Sequence, residues 1–285
     1  MTTSKTSMTA DVLAWGVPRL RDLPWRRTRD PWAVLVSEVM LQQTQVTRVI
    51  PRWESFLVRF PTTAACAAAP LADVLREWQG LGYPRRARNL HATAQRVEDL
   101  GGFPRDLVGL VALPGVGRYT ARALLAFAFE LDAAVVDTNI ARVYARVRGE
   151  RLTAGGVQTA ADEACPTGDA WVWNQCLMDL GAVLCRPTQP RCGECPLAAR
   201  CAWVRTGGPD PAVGSAGVSR RQARFEGSDR QARGRLMKAL SAGAVTRSEV
   251  ASVMQRDEAR ATRLLAALVD EGMCQTDWLT VRLPD

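Results

Sequence analysis

Apolar residues recur at the three- and four-residue spacing of an amphipathic helix along most of the first 200 residues. The clearest segments are Val12–Trp15, Trp32–Leu41, Val46–Leu57, Leu71–Trp78, Ala87–Val97 and Leu107–Leu110. Prolines or paired glycines separate these segments, and no stretch of this region alternates apolar and polar residues as a strand does. The pattern predicts an all-α domain of about ten helices.

The composition changes between Arg205 and Val218, where the run TGGPDPAVGSAG predicts a flexible linker. Three helical patterns follow: Asp229–Ala242, a segment opened by the capping box Thr246-Arg-Ser-Glu249, and Asp257–Glu271. Short β-like segments then lie between Met273 and Leu283. Three helices and a β-hairpin are typical of a small winged-helix-like module, and a plain helical tail domain is the alternative.

Charge and hydropathy narrow the class of protein. The 285 residues carry a formal net charge of +8, which favours a polyanionic partner, although a generally basic protein is the alternative. No apolar run reaches about 18 residues, so we expect no membrane span and no membrane partner. The N-terminus lacks the pattern of a secretory signal, which indicates a reducing cytoplasm. There the eight cysteines should be metal ligands or core residues rather than disulfides.

The segment Leu110–Asn139 is predicted to form two helices joined by the tight turn Pro114–Gly117, followed by a short apolar run. Glycines give such a turn its backbone freedom and let another backbone come close. The helix that starts after Gly117 presents free N–H groups, which suit a nucleic-acid phosphate. An ordinary buried helical hairpin is the alternative.

A cysteine cluster is the most specific motif, with the spacing Cys185-x6-Cys192-x2-Cys195-x5-Cys201. Intervening prolines predict a loop in which every sulfur can turn inward. Four thiolates can ligate zinc or a [4Fe–4S] cluster, and the spacing alone favours zinc. The other four cysteines are scattered, and we expect them to be core or surface thiols.

Two carboxylates stand in apolar surroundings. Glu38 lies within Trp32–Gln42, where its helical neighbours are mostly apolar. Burial would favour the protonated acid and make Glu38 a candidate general acid, with pairing to an arginine as the alternative. Asp137 follows an apolar run and precedes a predicted helix, so a plain N-cap is its alternative role. A protonated acid and an ionised carboxylate together are the usual equipment for breaking a glycosidic bond.

These motifs together resemble the helix–hairpin–helix DNA glycosylase superfamily, and within it the adenine DNA glycosylases of the MutY type. The resemblance covers roughly residues 20–203 and rests on Leu23–Trp25, Ser37–Val46, Leu81–Leu90, Leu113–Ala121, Val136–Val143 and Asn174–Cys185. The cysteine spacing matches the [4Fe–4S] loop of this family, which replaces zinc as the expected metal. The tail resembles the short form of actinobacterial relatives, because residues 219–285 are too few for the Nudix-like domain of larger members.

The family implies a two-lobed all-α fold plus the small C-terminal module. The expected parts are the N-terminal part of the iron–sulfur lobe at 1–28, a six-helix barrel lobe with the helix–hairpin–helix at 29–135, the iron–sulfur cluster lobe at 136–204, a linker at 205–224 and the winged-helix-like module at 225–285.

The resemblance also implies catalytic and base-binding roles. Glu38 would protonate the adenine ring and later handle the water. Asp137 would stabilise the oxocarbenium ion or bond transiently to the sugar, supported by Tyr119 and Asn139. The pocket around the flipped base would be lined by Trp25, Arg26, Leu41, Gln175 and Met178.

Further roles concern DNA and the metal. Gln43 and Tyr83 would wedge into the duplex beside the opposite base. The backbone N–H groups of Gly115, Val116 and Gly117 would hold a phosphate, with a bound monovalent cation at the hairpin. The [4Fe–4S] ligands would be Cys185, Cys192, Cys195 and Cys201.

Lysine usage separates two classes of this superfamily. Bifunctional relatives of the endonuclease III type carry, at the position of Tyr119, a lysine that forms a Schiff base and leads to strand cleavage. The only lysines here are Lys5 and Lys238. We therefore predict a monofunctional glycosylase. The resemblance implies a monomer of the bacterial cytoplasm and nucleoid that acts on double-stranded DNA with an adenine:8-oxoguanine or adenine:guanine mispair. A thymine or uracil glycosylase acting at guanine mismatches and a non-catalytic iron–sulfur DNA-binding protein are the alternatives.

Overall fold

The computed structural model describes residues 3–218 and 224–285, and these are mostly helical, as predicted. The α-helices of this described part are α1 Thr3–Gly16, α2 Pro31–Leu41, α3 Val46–Arg59, α4 Thr63–Ala67, α5 Leu71–Glu77, α6 Arg85–Asp99, α7 Leu107–Val111, α8 Arg118–Phe127, α9 Thr138–Arg148, α10 Ala154–Ala164, α11 Ala170–Val183, α12 Ala202–Thr206, α13 Asp229–Ala242, α14 Val250–Met254 and α15 Glu258–Asp270. The strands are β1 Val245–Thr246, β2 Gln275–Thr276 and β3 Thr280–Arg282. None of the described helices is long and apolar enough to cross a membrane.

The chain divides into two compact units, each built from separate stretches of sequence. The first unit comprises Met1–Val34, Arg105–Val111 and Val116–Arg220. The second unit comprises Leu35–Pro104, Ala112–Gly115 and Arg221–Asp285. The cysteine cluster and Asp137 therefore belong to the first unit, and Glu38 and Tyr83 to the second.

The core of the first unit forms around α11, which packs against both α9 and α1. Asn174 of α11 is buried in this core and satisfies its whole amide with backbone partners. Its Oδ1 accepts from Val135 N at 2.9 Å, and its Nδ2 donates to Ala133 O and Ala170 O. Because an unpaired buried amide is costly, these bonds fix the extended run that leads into Asp137.

The helices of the second unit pack around Phe56, Trp78 and Leu90, with the Phe56 and Trp78 rings edge to face at 6.1 Å. The start of the glycine turn is fastened here, because Thr93 Oγ1 donates to Pro114 O at 2.6 Å. The backbone of Gly115 has a φ of 73°, in the left-handed region that favours glycine.

Residues 228–285 of the second unit form a winged-helix-like module. Helices α13, α14 and α15 pack together, and the three strands pair antiparallel in the order β1-β3-β2. Val245 and Thr276 both pair with Val281 of the central strand. The sequence predicts only the β2–β3 hairpin, because a two-residue strand such as β1 has no detectable alternation.

Part of the segment predicted to be a linker is attached to the first unit. Ser215 Oγ accepts from Leu152 N at 3.0 Å, and Ala216 N donates to Leu152 O at 2.9 Å. Asp210 forms an ion pair with Arg146 at 2.6 Å. Residues 219–223 of the predicted linker lie outside the described residues.

Candidate active site

Asp137 is the N-cap of α9 and accepts three hydrogen bonds. Its Oδ1 accepts from Asn139 N at 2.9 Å and from Ile140 N at 2.7 Å, and its Oδ2 accepts from Asn139 Nδ2 at 2.7 Å. Burial raises the pKa of the Asp137 carboxyl, whereas these bonds act to lower it. The N-cap alternative is thus correct as local structure. It is compatible with a catalytic role, because the helix start orients the carboxylate and favours its negative charge.

Asn139 connects Asp137 to a buried arginine that the sequence interpretation missed. Arg142 is 3% exposed, and its Nη2 donates to Asn139 Oδ1 at 2.8 Å and to Gly181 O at 2.6 Å. Its Nε donates to Cys185 O at 2.5 Å. One continuous chain of hydrogen bonds therefore runs from Asp137 to the first residue of the cysteine cluster.

The close packing of α9 on α11 requires glycine at position 181. A Cβ on Gly181 would lie 2.6 Å from Asn139 Cβ and 2.9 Å from Asn139 O. Any side chain there would displace the residue that hydrogen-bonds Asp137.

The predicted base-pocket residues of the first unit flank a buried ion pair. Arg26 donates from Nη1 and Nη2 to the two Asp179 oxygens, each at 2.8 Å. Although burial of Asp179 acts in the opposite sense, the guanidinium groups of Arg26 and Arg21 keep the pKa of Asp179 below its usual range. Trp25 and Gln175 are buried, and Met178 is half-buried.

One donor of this pair is not used. Arg26 Nε is buried and has no hydrogen-bond partner within residues 3–218 and 224–285. A buried donor left unpaired is costly, so it marks a position where a ligand acceptor would be favourable.

Glu38 is buried in the second unit, as predicted, with an exposure of 6%. It lies on α2, whose residues from Trp32 to Met40 are all buried. Leu41 closes this helix and is half-buried. A carboxyl in such a position is a candidate proton donor.

Gln43 and Tyr83, the two predicted wedge residues, both have left-handed backbone conformations, with φ of 58° and 49°. Such values are uncommon for residues other than glycine, and they cluster at functional sites. Both conformations lie beside one arginine that the sequence interpretation missed, Arg86.

Arg86 binds five backbone carbonyls with its two terminal nitrogens. The acceptors, at 2.7–3.0 Å, are the carbonyl oxygens of Val39, Met40, Gln42, Leu81 and Gly82. Burial lowers the pKa of Arg86 to about 10, so the group is still charged at neutral pH. The guanidinium therefore closes the C-terminal end of α2 and joins the Gln43 stretch to the Tyr83 stretch.

The helix that follows the glycine turn begins in the first unit. Gly117 is the exposed N-cap of α8, with no side-chain cap and a φ of −88°. A Cβ built on it meets no atom within 4 Å. Val116 is buried, and Tyr119, in the first turn of α8, is half-buried.

All four predicted metal ligands line one recess in the first unit. Arg146 donates to Cys185 Sγ at 3.3 Å from one side. Burial raises the pKa of Cys195 to about 11, so this thiol needs a metal to become a thiolate at neutral pH.

The chemistry of this donor set fits a metal centre, because four cysteine side chains line the same recess and thiolates bind both zinc and [4Fe–4S] clusters. Within the described part of the chain, no three His, Cys, Asp or Glu side chains are close enough to be recognised as a group that holds one metal ion.

Comparison with known proteins identifies the family. Residues 36–167 match the HhH-GPD superfamily base excision DNA repair proteins. The chain is 41% identical to an adenine DNA glycosylase of Mycolicibacterium smegmatis, over 93% of this chain and 92% of that protein. The chain belongs to the adenine DNA glycosylases. The corresponding Mycobacterium tuberculosis protein is 43% identical over 92% of this chain and 88% of its own length.

More distant members of the superfamily match a shorter part. The human adenine DNA glycosylase is 42% identical over 69% of this chain and 39% of its own length. The structure of a thermostable thymine-DNA glycosylase covers 70% of this chain with a TM-score of 0.67 and 30% identity, and spans 96% of that chain. A trapped endonuclease III–DNA covalent intermediate covers 71% of this chain with a TM-score of 0.62 and 25% identity, and spans 97% of that chain.

These matches confirm the predicted fold and the predicted enzyme class of base excision repair. The relatives over most of this chain are named adenine DNA glycosylases, which favours the enzyme over the non-catalytic alternative. Arg86, Arg142 and Asp179 lie within motifs that the sequence singles out, and a charge inside an apolar helical pattern is the signal that could have found them.

Proposed function

We propose that this adenine DNA glycosylase removes adenine mispaired with 8-oxoguanine or guanine and leaves the DNA strand intact. The observation that carries the proposal is the hydrogen-bonded Asp137 carboxylate at the start of α9, in a chain that also buries Glu38. Breaking an N-glycosidic bond needs an acid for the leaving base and a negative charge for the sugar cation.

The proposed reaction starts with extrusion of the adenine from the duplex, since the glycosidic bond is not accessible in the stack. Glu38 donates its proton to the adenine ring as the bond between C1′ and the base nitrogen breaks. Asp137 stabilises the resulting oxocarbenium ion or bonds to C1′. A water then adds to C1′, with release of the Asp137 carboxylate where that bond has formed, and gives its proton to Glu38, which restores the acid.

The residues proposed to contact the adenine are Trp25, Arg26, Gln175 and Met178 of the first unit and Leu41 of the second. The Gln175 amide offers one donor and one acceptor group to the adenine edge. The Nε–H of Arg26, which has no partner among the described residues, would donate a further hydrogen bond to the base. Tyr119 and Asn139 hold the catalytic centre, and Asn139 does so through its bond to Asp137.

The proposed DNA contacts lie on other residues. Gln43 and Tyr83 enter the duplex beside the opposite base, and their left-handed backbones support that role. Backbone N–H groups of Gly115, Val116 and Gly117 bind a phosphate, with a monovalent cation. The protein acts as a monomer on the chromosomal DNA of a bacterial cytoplasm.

A [4Fe–4S] cluster is the proposed cofactor, held by Cys185, Cys192, Cys195 and Cys201. The cluster would cross-link the loop that carries these cysteines and add fixed charge there. Arg146 binds Cys185 Sγ from the protein side and is itself held by Asp210. No step of the proposed base removal passes through the cluster.

Single-turnover assays on a mismatch panel test the proposal. Duplexes with adenine, thymine or uracil opposite guanine or 8-oxoguanine are incubated with the protein, with and without alkali. We expect adenine release, and strand breaks only after alkali treatment. Release of thymine or uracil without adenine, the activity of a thymine-DNA glycosylase, would overturn the substrate. Strand cleavage without alkali would overturn the monofunctional assignment.

Glu38→Gln tests the acid. The amide keeps the shape of the side chain but holds no transferable proton, so base release should fall about 10²- to 10⁴-fold. Duplex binding, measured on an uncleavable adenine analogue, should be retained. An unchanged rate of base release would refute the assignment of Glu38.

A further inference from the structure

Tyr83 is in direct contact with the C-terminal module. Arg230 of α13 donates from Nη1 to Tyr83 Oη at 2.8 Å. The Arg230 guanidinium carbon also lies 5.8 Å from the centre of the Tyr83 ring and 5.3 Å from that of Phe225. The phenol of Tyr83 is thus hydrogen-bonded by a residue 147 positions away in sequence.

The helix that carries Arg230 is itself fastened to the same unit. Gln79 Nε2 donates to Met237 O of α13 at 3.2 Å. Arg88 of α6 donates to Glu271 O, and the Glu271 carboxylate pairs with Arg233 of α13, whose Nη1 lies 3.0 Å from Glu271 Oε1. These contacts, all within the second unit, leave α13 little freedom to move away from Tyr83.

Two arginines from different parts of the chain, Arg86 and Arg230, therefore lie near the Tyr83 ring. Arg86 lies 5.7 Å from the ring centre and holds the carbonyls of the two preceding residues. Arg230 holds the hydroxyl at the far end of the ring. A residue fixed at both ends, on a backbone with a φ of 49°, has one defined direction.

We propose that Arg230 is a positioning residue for Tyr83, through which the C-terminal module sets the discrimination of the base opposite the adenine. This inference rests on the proposed function, because that function assigns Tyr83 to the opposite base. Arg230 acts on Tyr83 and needs no contact with the base itself. The C-terminal module then contributes to mismatch recognition and supplies no catalytic group.

The test measures single-turnover rates of adenine release opposite 8-oxoguanine and opposite guanine. One hydrogen bond is worth about 1 kcal/mol, or roughly fivefold, so Arg230→Ala should change the ratio of the two rates by about three- to tenfold. Tyr83→Phe removes the acceptor and should change the ratio in the same direction. Arg230→Lys keeps a donor and should restore part of the wild-type ratio.

A double-mutant cycle separates positioning of Tyr83 from a direct contact with DNA. If Arg230 acts through the Tyr83 hydroxyl, Arg230→Ala should add little to Tyr83→Phe. Additive effects would overturn the proposal, since they would mean that Arg230 acts on DNA by itself. Lys238→Ala is the matched control, because Lys238 is exposed on the same helix and carries the same charge.

A second readout needs no DNA. Amide hydrogen exchange at residues 82–86 should be faster in Arg230→Ala than in the wild type, and unchanged in Lys238→Ala. Unchanged exchange, or faster exchange with an unchanged rate ratio, would overturn the inference. Wild-type protein that releases no adenine would instead overturn the proposed function, and the exchange result would then still report the Arg230–Tyr83 coupling.

Discussion

Burial and hydrogen bonding act in opposite directions on the charge of Asp137. Burial alone would leave this carboxyl protonated more often than an exposed aspartate, and an acid in that form cannot stabilise a sugar cation. The three bonds from Asn139 and Ile140 oppose that effect. Burial is the larger effect and the pKa of Asp137 stays above its usual value, so Asn139, which the sequence suggests only as a supporting residue, limits that rise.

We predict that Asn139→Ala moves the acidic limb of the pH–rate profile to higher pH. The bond from Asn139 Nδ2 lowers the pKa of Asp137, so its loss raises that pKa, and the reactive anion forms only at higher pH. The measurement is the single-turnover rate of adenine release across the acidic range. An acidic limb that stays in place would show that Asp137 is not the group that must ionise.

The sequence predicts the residue types of this site better than their connections. Asp137 and Glu38 are recognisable because each carboxylate stands in an apolar run. The pairing of Arg26 with Asp179, or of Arg142 with Asn139, joins residues that are far apart in sequence or that share a helix with several other candidates. Nothing in the local pattern specifies such partners, because they depend on how the helices pack.

Two helical glycines show how helix packing constrains the site, because one has a close neighbour and the other has none. Gly181 is required by the approach of α9 to α11, whereas Gly155 of α10 has no atom within 4 Å of a built Cβ. Both lie inside helices with ordinary backbone conformations, so only the neighbour differs.

We predict that Gly181→Ala lowers the free energy of unfolding by about 1–3 kcal/mol, because the new methyl meets Asn139. Gly155→Ala should leave stability unchanged or raise it by about 0.5–1 kcal/mol, since alanine is the better helix former. Chemical denaturation of the two variants checks the pair. Equal stability of the variants would refute the packing argument.

Gly115 and Gly117 of the glycine turn form a second matched pair, for which we expect one substitution to affect stability and the other to affect DNA binding. In Gly115→Ala the left-handed backbone and the contact with Asn89 at 2.7 Å should cost roughly 1–2 kcal/mol or more. Gly117→Ala meets no protein atom and should fold normally, but its methyl would obstruct a phosphate approaching the first turn of α8. Thermal melting and duplex binding measured on both variants distinguish the two effects. Normal DNA affinity in Gly117→Ala would argue against the phosphate site.

The element boundaries are predicted within a few residues where glycine or proline ends a helix. The end of α8 at Phe127 is not visible in the sequence, because no glycine or proline follows it and Glu130 takes the left-handed conformation, with a φ of 52°. Strand β1 was beyond prediction, since its two residues are specified by pairing with β3.

At the scale of the whole molecule, the family and the enzyme class follow from motifs in order. The resemblance also implies two lobes, one of them assembled from residues 1–28 and 136–204, but the pattern of apolar and polar residues alone carries no sign of such interleaving. In the structure each compact unit draws on three separate stretches of sequence. The four cysteines proposed to hold the cluster lie on the loop between α11 and α12.

We predict that the purified protein contains four irons and four acid-labile sulfides per chain, with the broad visible absorbance of an iron–sulfur protein. Cys192→Ser should lose most of the iron and destabilise the cysteine loop beside Arg146, because that loop contains only two short 3-10 turns and no α-helix. Iron and sulfide analysis with thermal melting provides the measurement. Stoichiometric zinc in place of iron would refute the cluster.

The grip of Arg86 on five carbonyls has a consequence for how natural variation in this protein is interpreted. Arg86 alone holds two stretches of backbone, and each stretch carries a residue that we propose enters the duplex. A substitution at position 86 should therefore act like two distant mutations at once. A lysine cannot take its place, because three rotatable donors do not reproduce a planar fork. Substitutions at position 86 should therefore lower DNA affinity although the altered side chain faces the protein. Because both stretches of backbone lose the same support, their defects should always occur together.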